Sequence, residues 1–215
     1  MKLHYVVGSP NCRKVHAVIN ALGLQVEFAY LDFFRGDLRG ADYLAINPNA
    51  MVPALVDGDF VLTESNSIMN YLADAAGDSG LYPRDHRLRA DIHRWQSWEL
   101  AHFNKALGIL SFETVAKPGF MGLPADEFLV GWAQRELARF APVLDAAVHG
   151  RDYLVGAQPT LADISVAHLE GFQPAVPFDW APFPALNAYF ERMRQYAPWA
   201  ATAPPSPQAV GRIPA

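Results

Sequence analysis

The segment that most constrains the fold of this chain is Ile46–Leu55, a polar loop that ends in Val52-Pro53 and enters a short apolar run. A turn signal at Asp57–Asp59 separates that run from a second β-prone run, which predicts a β-hairpin. A helical pattern begins at Ser65. This order suits a small extended peptide ligand. A free backbone beside a proline turn can pair with the peptide, and a helix N-terminus can receive its carboxylate.

Composition excludes several classes of protein. The chain has 215 residues, 51% of them apolar, and a net charge of -5. It is therefore long enough for one or two globular domains, and its charge argues against nucleic-acid binding. Cys12 is the only cysteine, which excludes an internal disulfide and fits a reduced, cytoplasmic setting. No membrane span, signal peptide or metal site is expected, because no apolar run is long enough and the histidines are irregularly spaced.

The first part of the chain alternates between strand and helix patterns. Apolar residues recur at helical spacing through the first helix, whereas the flanking runs are β-prone. The pattern predicts β-α-β-α-β-β-α, with the last two strands antiparallel. Its predicted elements are a strand at 3–7, a helix at 12–22, a strand at 26–31, a loose helix within 35–46, two strands around 57–59 and a helix at 65–76.

The remainder of the chain contains no convincing strand run. Turn-forming residues at 78–85 indicate a linker, so the predicted domains are 1–77 and 86–215. Helices are expected at about 87–116, 124–148, from Thr160 onward, and at 184–195. The proline-rich tail at 203–207 is expected to lie extended. The predicted architecture is an α/β domain followed by an all-helical domain.

Three segments together resemble the cytosolic glutathione S-transferase family, in its serine-type, bacterial-like form. The stretch from Asn47-Pro48 through Asp74 resembles the cis-proline and Glu-Ser segments of the family. Gly8–Arg13 resembles its serine-type catalytic loop, and Thr160–Ile164 resembles the capping element of its helical domain. The resemblance implies a thioredoxin-like N-terminal domain, glutathione as co-substrate without a metal, and a cytoplasmic homodimer.

The resemblance assigns a peptide-holding role to five residues. It implies a cis bond between Val52 and Pro53, so that the Val52 backbone can pair with the cysteinyl part of glutathione. Ser65 would hold the γ-glutamyl carboxylate at a helix N-terminus, and Glu64 would pair with the α-ammonium group. A simple helix cap at Glu64-Ser65 is the alternative, and it is compatible with binding. The expected glutathione-binding residues are Met51, Val52, Pro53, Glu64 and Ser65.

Ser9 and Asn11 are the expected catalytic residues. Ser9 lies at the start of a predicted helix, where its hydroxyl could donate a hydrogen bond to the glutathione thiolate. Asn11 offers an amide donor to the same region and resembles the asparagine of subgroups that reduce disulfides. The alternative is that Ser9, Pro10 and Asn11 only cap the helix. Cys12 is expected to pack as a small buried residue.

One departure from the family pattern concerns the residues before Val52-Pro53. Family members often place Lys, Gln or His there, in reach of the glycine carboxylate of glutathione. Here Ala50 and Met51 cannot supply that charge or hydrogen bond, although Arg13 or Arg35 could replace it. One lost contact would weaken binding by about 1–2 kcal/mol, or up to about thirtyfold.

The second substrate is expected to lie against the helical domain. Apolar and aromatic residues at helical spacing suit a hydrophobic electrophile, although most such residues are more often core. The expected contacts are Trp98, His102, Phe103 and Ala106. Thr160 and Asp163 are expected to form a structural capping box.

The predicted function is conjugation of glutathione to a hydrophobic electrophile. Two alternatives stay open from the sequence: a glutathione-dependent disulfide or peroxide reductase, and a non-catalytic binding module that retains the fold. Asn11 favours the first alternative, and Ala50-Met51 favours the second.

Overall fold

A mixed four-stranded sheet organises the N-terminal part of the chain, in a computed structural model that describes residues 1–214 without the side chain of Pro207. The strand order is β2-β1-β3-β4, with β1 parallel to β2 and antiparallel to β3. The hairpin predicted around Asp57–Asp59 is present, since β3 and β4 pair antiparallel across it. The elements of this sheet and its helices are β1 (Lys2–Tyr5), α1 (Pro10–Leu22), β2 (Glu27–Tyr30), α2 (Ala41–Leu44), β3 (Ala54–Asp57), β4 (Phe60–Thr63) and α3 (Ser65–Ala75).

Apolar burial fixes the register of the sheet. Leu3 on β1 faces Leu55 on β3, and both side chains are fully buried. On α3, Ile68, Met69 and Leu72 are fully buried as their helical spacing predicts. A one-residue slip of either strand would turn these leucines to solvent, so the core specifies which loops meet at each end of the sheet.

The described chain forms two compact units. The first contains Met1–Tyr82 together with the chain from Tyr196 onward, and the second is Pro83–Gln195. The predicted division at 86–215 therefore needs a correction, because the C-terminal segment packs with the thioredoxin-like unit rather than with the helical one. Ala215, the end of the predicted helical domain, lies outside the described residues.

The second unit is all-helical among its described residues, as predicted. The helix expected to stop at Lys117–Gly119 instead continues through Pro118 to Met121. Its π-helical turns depart from the α-helical ladder that proline interrupts, which accounts for the wrong boundary. The elements of this unit are α4 (His86–Trp98), a π-helical segment (Glu99–Phe103), α5 (Asn104–Ser111), a second π-helical segment (Phe112–Met121), α6 (Glu127–Val148), α7 (Leu161–Val166), a 3₁₀ segment (Ala167–Ala175) and α8 (Pro184–Gln195).

The C-terminal segment is less extended than predicted. A short helix, α9 (Ala197–Ala200), precedes the prolines, and a 3₁₀ turn spans Pro207–Ala209. The described residues at 201–206 and 210–214 lack helical structure. Among residues 1–214, no helix is both long enough and apolar enough to cross a bilayer.

The capping box at the start of α7 is present and fully buried. Thr160 Oγ1 accepts a hydrogen bond from the Ala162 N–H at 3.3 Å, and Asp163 Oδ2 accepts from the Thr160 N–H at 2.8 Å and from its hydroxyl at 3.0 Å. Asp163 Oδ1 accepts from the Leu154 N–H at 2.8 Å and from the Tyr189 hydroxyl at 3.3 Å. Burial raises the pKa of Asp163 to about 6, although these hydrogen bonds act to lower it. The group is therefore a carboxylate at neutral pH.

We expect Asp163→Asn to destabilise the protein by about 2–4 kcal/mol, because the new amide N–H₂ would face groups that are themselves donors. Thr160→Ala should cost about 1 kcal/mol through loss of the cap, whereas Thr160→Ser, which keeps the hydroxyl, should be nearly neutral. Urea denaturation followed by circular dichroism measures all three. An Asp163→Asn variant as stable as the parent chain would contradict this account of the network.

Candidate functional site

Three loops of the first unit meet at one end of the sheet. On β1, His4 pairs with Ala54, the first residue of β3, and Ala54 pairs in turn with Thr63, the last residue of β4. The loop that leaves β1, the loop that enters β3 and the start of α3 therefore share one edge. These loops carry Ser9, Val52-Pro53 and Glu64-Ser65, so the structure brings together the two halves of the site predicted from sequence.

Ser9 is the N-cap of α1 and is half-buried. Its Oγ accepts the Cys12 N–H at 3.4 Å, which is longer than a usual capping bond. The Ser9 N–H donates to the Val6 carbonyl at 3.1 Å, which fixes the turn before the helix. The capping alternative is thus partly right. Capping uses a lone pair of Oγ, and the hydroxyl can still donate its proton to a ligand.

Val52 offers the backbone expected for peptide pairing. The Val52-Pro53 bond is cis, which confirms the prediction from the family resemblance. Among the described residues, neither the N–H nor the C=O of Val52 makes a hydrogen bond. An unpaired donor and acceptor next to a strand is the arrangement that binds an extended peptide by strand addition.

The residues that hold this loop were missed from the sequence. The Met51 carbonyl accepts from the Asn47 side-chain amide at 2.7 Å and from the Tyr43 hydroxyl. The Met51 side chain is 66% exposed. Met51 therefore contributes backbone whose carbonyl is fixed by Tyr43 and Asn47. An asparagine four residues before Met51 in a polar loop was the available signal.

Glu64 and Ser65 form the uncapped start of α3. Glu64 has a φ of +66°, its side chain is exposed, and it makes no capping hydrogen bond. Ser65 is buried, and its hydroxyl donates to Asn11 Oδ1 at 3.3 Å. The N-cap residue thus leaves the helix start without a side-chain cap, which favours an anionic ligand at this point. The simple-cap alternative for Glu64-Ser65 does not describe this helix.

Asn11 lies beside the peptide-holding half of the site. Its Oδ1 accepts from Ser65, which leaves its two amide N–H groups as donors. The contact connects the loop at the start of α1 with the start of α3. Asn11 is therefore placed to orient a ligand group at Ser65, a position that the sequence did not indicate.

Two arginines were considered as replacements for the missing contact to the glycine carboxylate, and one of them, Arg13, already makes contacts within the protein. Arg13 lies 4.4 Å from the centre of the Trp199 ring, and its Nε donates to Thr202 Oγ1 at 3.2 Å. Arg35 is exposed in the loop after β2, where its backbone N–H donates to Asp32 at 2.9 Å. Arg35 is thus the better of the two candidates to contact the glycine carboxylate.

Cys12 is fully buried in α1. Burial raises the pKa of its thiol to about 11, although hydrogen bonds from the Val6 backbone and the Ser9 hydroxyl act in the opposite direction. A protonated, inaccessible thiol cannot serve as a nucleophile at neutral pH. This agrees with the prediction that Cys12 packs as a small apolar residue.

In the helical unit, two of the four residues expected to contact the second substrate need a correction. Phe103 and Ala106 have no exposed surface and belong to the core. The π-helical segment Glu99–Phe103 is the reason, since its wider turn shifts the face that 3.6-residue spacing predicts. Trp98 is half-buried and His102 is exposed, and both rings pack against Phe140 at centroid distances of 5.9 Å and 4.8 Å.

The same shift places a polar cluster in the core of the helical unit. Glu99 is fully buried, and its Oε2 accepts from Asn104 Nδ2 at 2.6 Å. Asn104 also contacts His168 Nδ1 at 2.9 Å. The partner of Glu99 therefore comes from the next turn of the helix.

Comparison with known proteins matches the chain over most of its length. Residues 3–80 match the family described as "Glutathione S-transferase, N-terminal domain", and residues 113–196 match "Glutathione S-transferase, C-terminal domain". A curated relative, glutathione S-transferase 3 of Zea mays, is 35% identical over 179 residues, which is 82% of this chain and 80% of the relative.

Solved structures give the same result. Glutathione S-transferase III in apo form superposes with a TM-score of 0.83 at 31% identity, over 96% of this chain and 97% of the other. Glutathione S-transferase I bound with lactoylglutathione superposes with a TM-score of 0.83 at 24% identity, over 94% and 97% of the two chains, which shows the fold alone. The curated relatives include plant proteins, among them F10 of Arabidopsis thaliana, and the serine-type, bacterial-like subclass expected from sequence is not confirmed.

We expect the Cys12 thiol to react with a thiol reagent at pH 8 about a hundredfold more slowly in the folded protein than in urea. At that pH a thiol with a pKa near 11 is almost entirely protonated, and the buried sulfur is also inaccessible. A timed Ellman titration measures both rates, with Cys12→Ala as the blank. Equal rates in the two states would contradict the assignment of Cys12 as a packing residue.

Proposed function

Because the chain belongs to the glutathione S-transferase family, it is a glutathione transferase, and we propose that Ser9 is the residue that stabilises the glutathione thiolate. The observation that carries this proposal is the convergence of the Ser9 loop with the unpaired Val52 backbone and the uncapped start of α3. A peptide paired with Val52 and anchored at Ser65 would direct its thiol toward the loop next to β1.

One hydroxyl at a helix N-terminus can supply the free energy needed to lower the pKa of the glutathione thiol. An ordinary thiol has a pKa near ~8.5, and lowering it by about two units needs roughly 2.7 kcal/mol of differential stabilisation. A hydrogen bond to a charged group contributes about 1.5–3 kcal/mol, and a helix N-terminus adds roughly 0.3–1 kcal/mol. Ser9 supplies the hydroxyl, and α1 supplies the helix N-terminus.

The peptide-holding half of the site follows from the same contacts. We propose that the γ-glutamyl carboxylate accepts a hydrogen bond from the Ser65 N–H at the uncapped start of α3, and that the exposed Glu64 carboxylate pairs with the α-ammonium group. The side-chain amide of Asn11, held by its contact with Ser65, donates to the same carboxylate. Arg35 is proposed as the contact for the glycine carboxylate in place of a residue at Ala50-Met51.

The second substrate is proposed to be a small hydrophobic electrophile. The exposed part of Trp98 and the ring of His102 are the accessible members of the residues predicted for it. Their packing against Phe140 gives a rigid aromatic surface, which suits an apolar, planar partner. A homodimeric assembly and a cytoplasmic location are proposals that rest on the family resemblance.

The reductase alternative has less support in the site. Reduction of a mixed disulfide would give Asn11 the leading role, but its hydrogen bond with Ser65 places it beside the peptide-holding half of the site. Cys12, which could act as a second thiol, is buried and protonated at neutral pH. A panel of aryl halides and mixed disulfides distinguishes the two reactions.

We expect Ser9→Ala to raise the pKa of bound glutathione by about two units and to lower kcat/KM with an aryl halide about a hundredfold at pH 6.5. The physical reason is the loss of the hydroxyl proton that faces the sulfur. Ultraviolet absorbance of the bound thiolate, followed against pH, measures the pKa directly. Ser9→Thr keeps the hydroxyl and is the matched control.

The parent protein also tests the proposal. A bound thiol that titrates at its ordinary pKa would refute Ser9 as the activating residue. Activity that survives Ser9→Ala but not Asn11→Ala would transfer the role to Asn11.

We expect Glu64→Gln and Ser65→Ala each to raise KM for glutathione about tenfold, with the pKa of the bound thiol unchanged. Glu64→Gln removes the charge that pairs with the α-ammonium group, and Ser65→Ala removes the hydroxyl that holds Asn11. Both variants leave Ser9 in place. Calorimetric titration with S-methylglutathione, which lacks a free thiol, measures binding without chemistry. Unchanged affinity in both variants would place the γ-glutamyl group elsewhere.

A further inference from the structure

The C-terminal segment runs back along α1 toward the catalytic loop. Near the end of α1, the Asn20 side-chain amide donates to the Pro198 carbonyl at 3.2 Å. At the start of α1, Arg13 stacks on Trp199 and donates to Thr202. Trp199 and Thr202 are both buried. The segment is therefore anchored along the helix whose N-cap is Ser9, unlike a terminus that frays for lack of contacts.

The segment ends in a two-sided backbone bridge at Gly211. Its N–H donates to the Val7 carbonyl at 2.8 Å, two residues before Ser9. Its C=O accepts from the Phe33 N–H at 2.6 Å, in the loop that leaves β2. Gly211 thus connects the two loops that follow the parallel strands β1 and β2.

Side-chain packing closes the same junction. Gly8, at φ +78°, lies under Val210 so closely that a Cβ there would be 2.9 Å from Val210 Cγ1. Gly211, also at φ +78°, faces Phe34, where a Cβ would be 2.8 Å from Cε2. Arg212 lies 4.9 Å from the centre of the Phe34 ring. The two glycines permit an approach that any side chain would prevent.

We infer that residues 210–212, here called the tail clamp, position the Ser9 hydroxyl for the thiolate. The clamp holds Val7 by a hydrogen bond and Gly8 by contact, and these two residues directly precede Ser9. Fixing them fixes where the N-cap Oγ lies. Val210 and Gly211 are positioning residues, because they act through the loop and not on glutathione itself. The inference rests on the proposed role of Ser9.

The test compares two shortened chains. One ends at Ala209 and lacks the clamp. The other ends at Arg212 and keeps it, so it is the matched control. We expect the pKa of bound glutathione, measured by ultraviolet absorbance, to rise by about one unit in the first chain and to stay unchanged in the second. Affinity for S-methylglutathione should fall less than thiolate formation in the first chain, because Arg35 is the only proposed peptide-holding residue in a loop that the clamp contacts.

Val210→Ala provides a test that does not depend on the shortened chain folding. It removes the two methyl groups over Gly8, and we expect a smaller rise in the pKa of the bound thiol, with Val210→Ile restoring the parent value. Val143→Ala, at a partly exposed valine of the helical unit, is the matched control for loss of methyl groups. Melting temperatures of all variants report any global loss of fold.

The outcomes distinguish a failure of the tail clamp from a failure of the proposed role of Ser9. A lowered pKa in the parent that persists in both the chain ending at Ala209 and Val210→Ala refutes the clamp and leaves the role of Ser9 intact. Equal losses of S-methylglutathione affinity and of thiolate formation would make the segment merely structural and also refute positioning. An ordinary thiol pKa in the parent refutes the role of Ser9, and the inference falls with it.

Discussion

The antiparallel pairing of β1 with β3 is the interaction on which the rest of the site depends. Leu3 lies opposite Leu55, and both side chains are fully buried. The same register sets His4 opposite Ala54. That register brings the loop after β1 next to the cis-proline turn, and the β3–β4 pairing adds the start of α3. The binding loops need no direct contact with one another to be aligned. The buried leucines align them, because a one-residue slip would expose the apolar face of the sheet.

Much of the first unit could be predicted because local and global signals agree there. The Asp57–Asp59 turn, the helical spacing of Ile68, Met69 and Leu72, and the family segments at Ser9 and Val52-Pro53 all indicate one fold. The errors have a common physical origin. Phe103 and Ala106 were assigned to a substrate surface by α-helical spacing. A π-helical turn changes which residues share a face of the helix, and no residue type predicts such a turn. The path of the C-terminal segment was missed for a similar reason, since it depends on long-range contacts such as Arg13 with Trp199.

The hydrogen bonds that hold the site are mostly between a side chain and the backbone of a distant or neighbouring loop. Tyr43 and Asn47 hold the Met51 carbonyl, which leaves the next residue, Val52, with an unpaired backbone among the described residues. Ser65 holds Asn11. In each case a hydrogen bond within the protein satisfies one polar group and leaves a neighbouring one available to the ligand. Buried polar groups that already have partners keep the loops rigid, and a rigid loop loses little conformational entropy when the peptide binds.

Two thiols can lie near the start of α1: the thiol of Cys12 and the thiol of a bound peptide beside Ser9. They differ in how deeply they are buried. Cys12 faces the core, where the cost of burying a charge raises the pKa of its thiol to about 11 despite hydrogen bonds from Val6 and Ser9. The sulfur of a bound peptide would instead meet Ser9 at a half-exposed helix N-terminus, where the same hydroxyl and the helix dipole act without that cost. Burial therefore opposes ionisation of the Cys12 thiol, and this cost would be smaller for a substrate thiol at the proposed position beside Ser9.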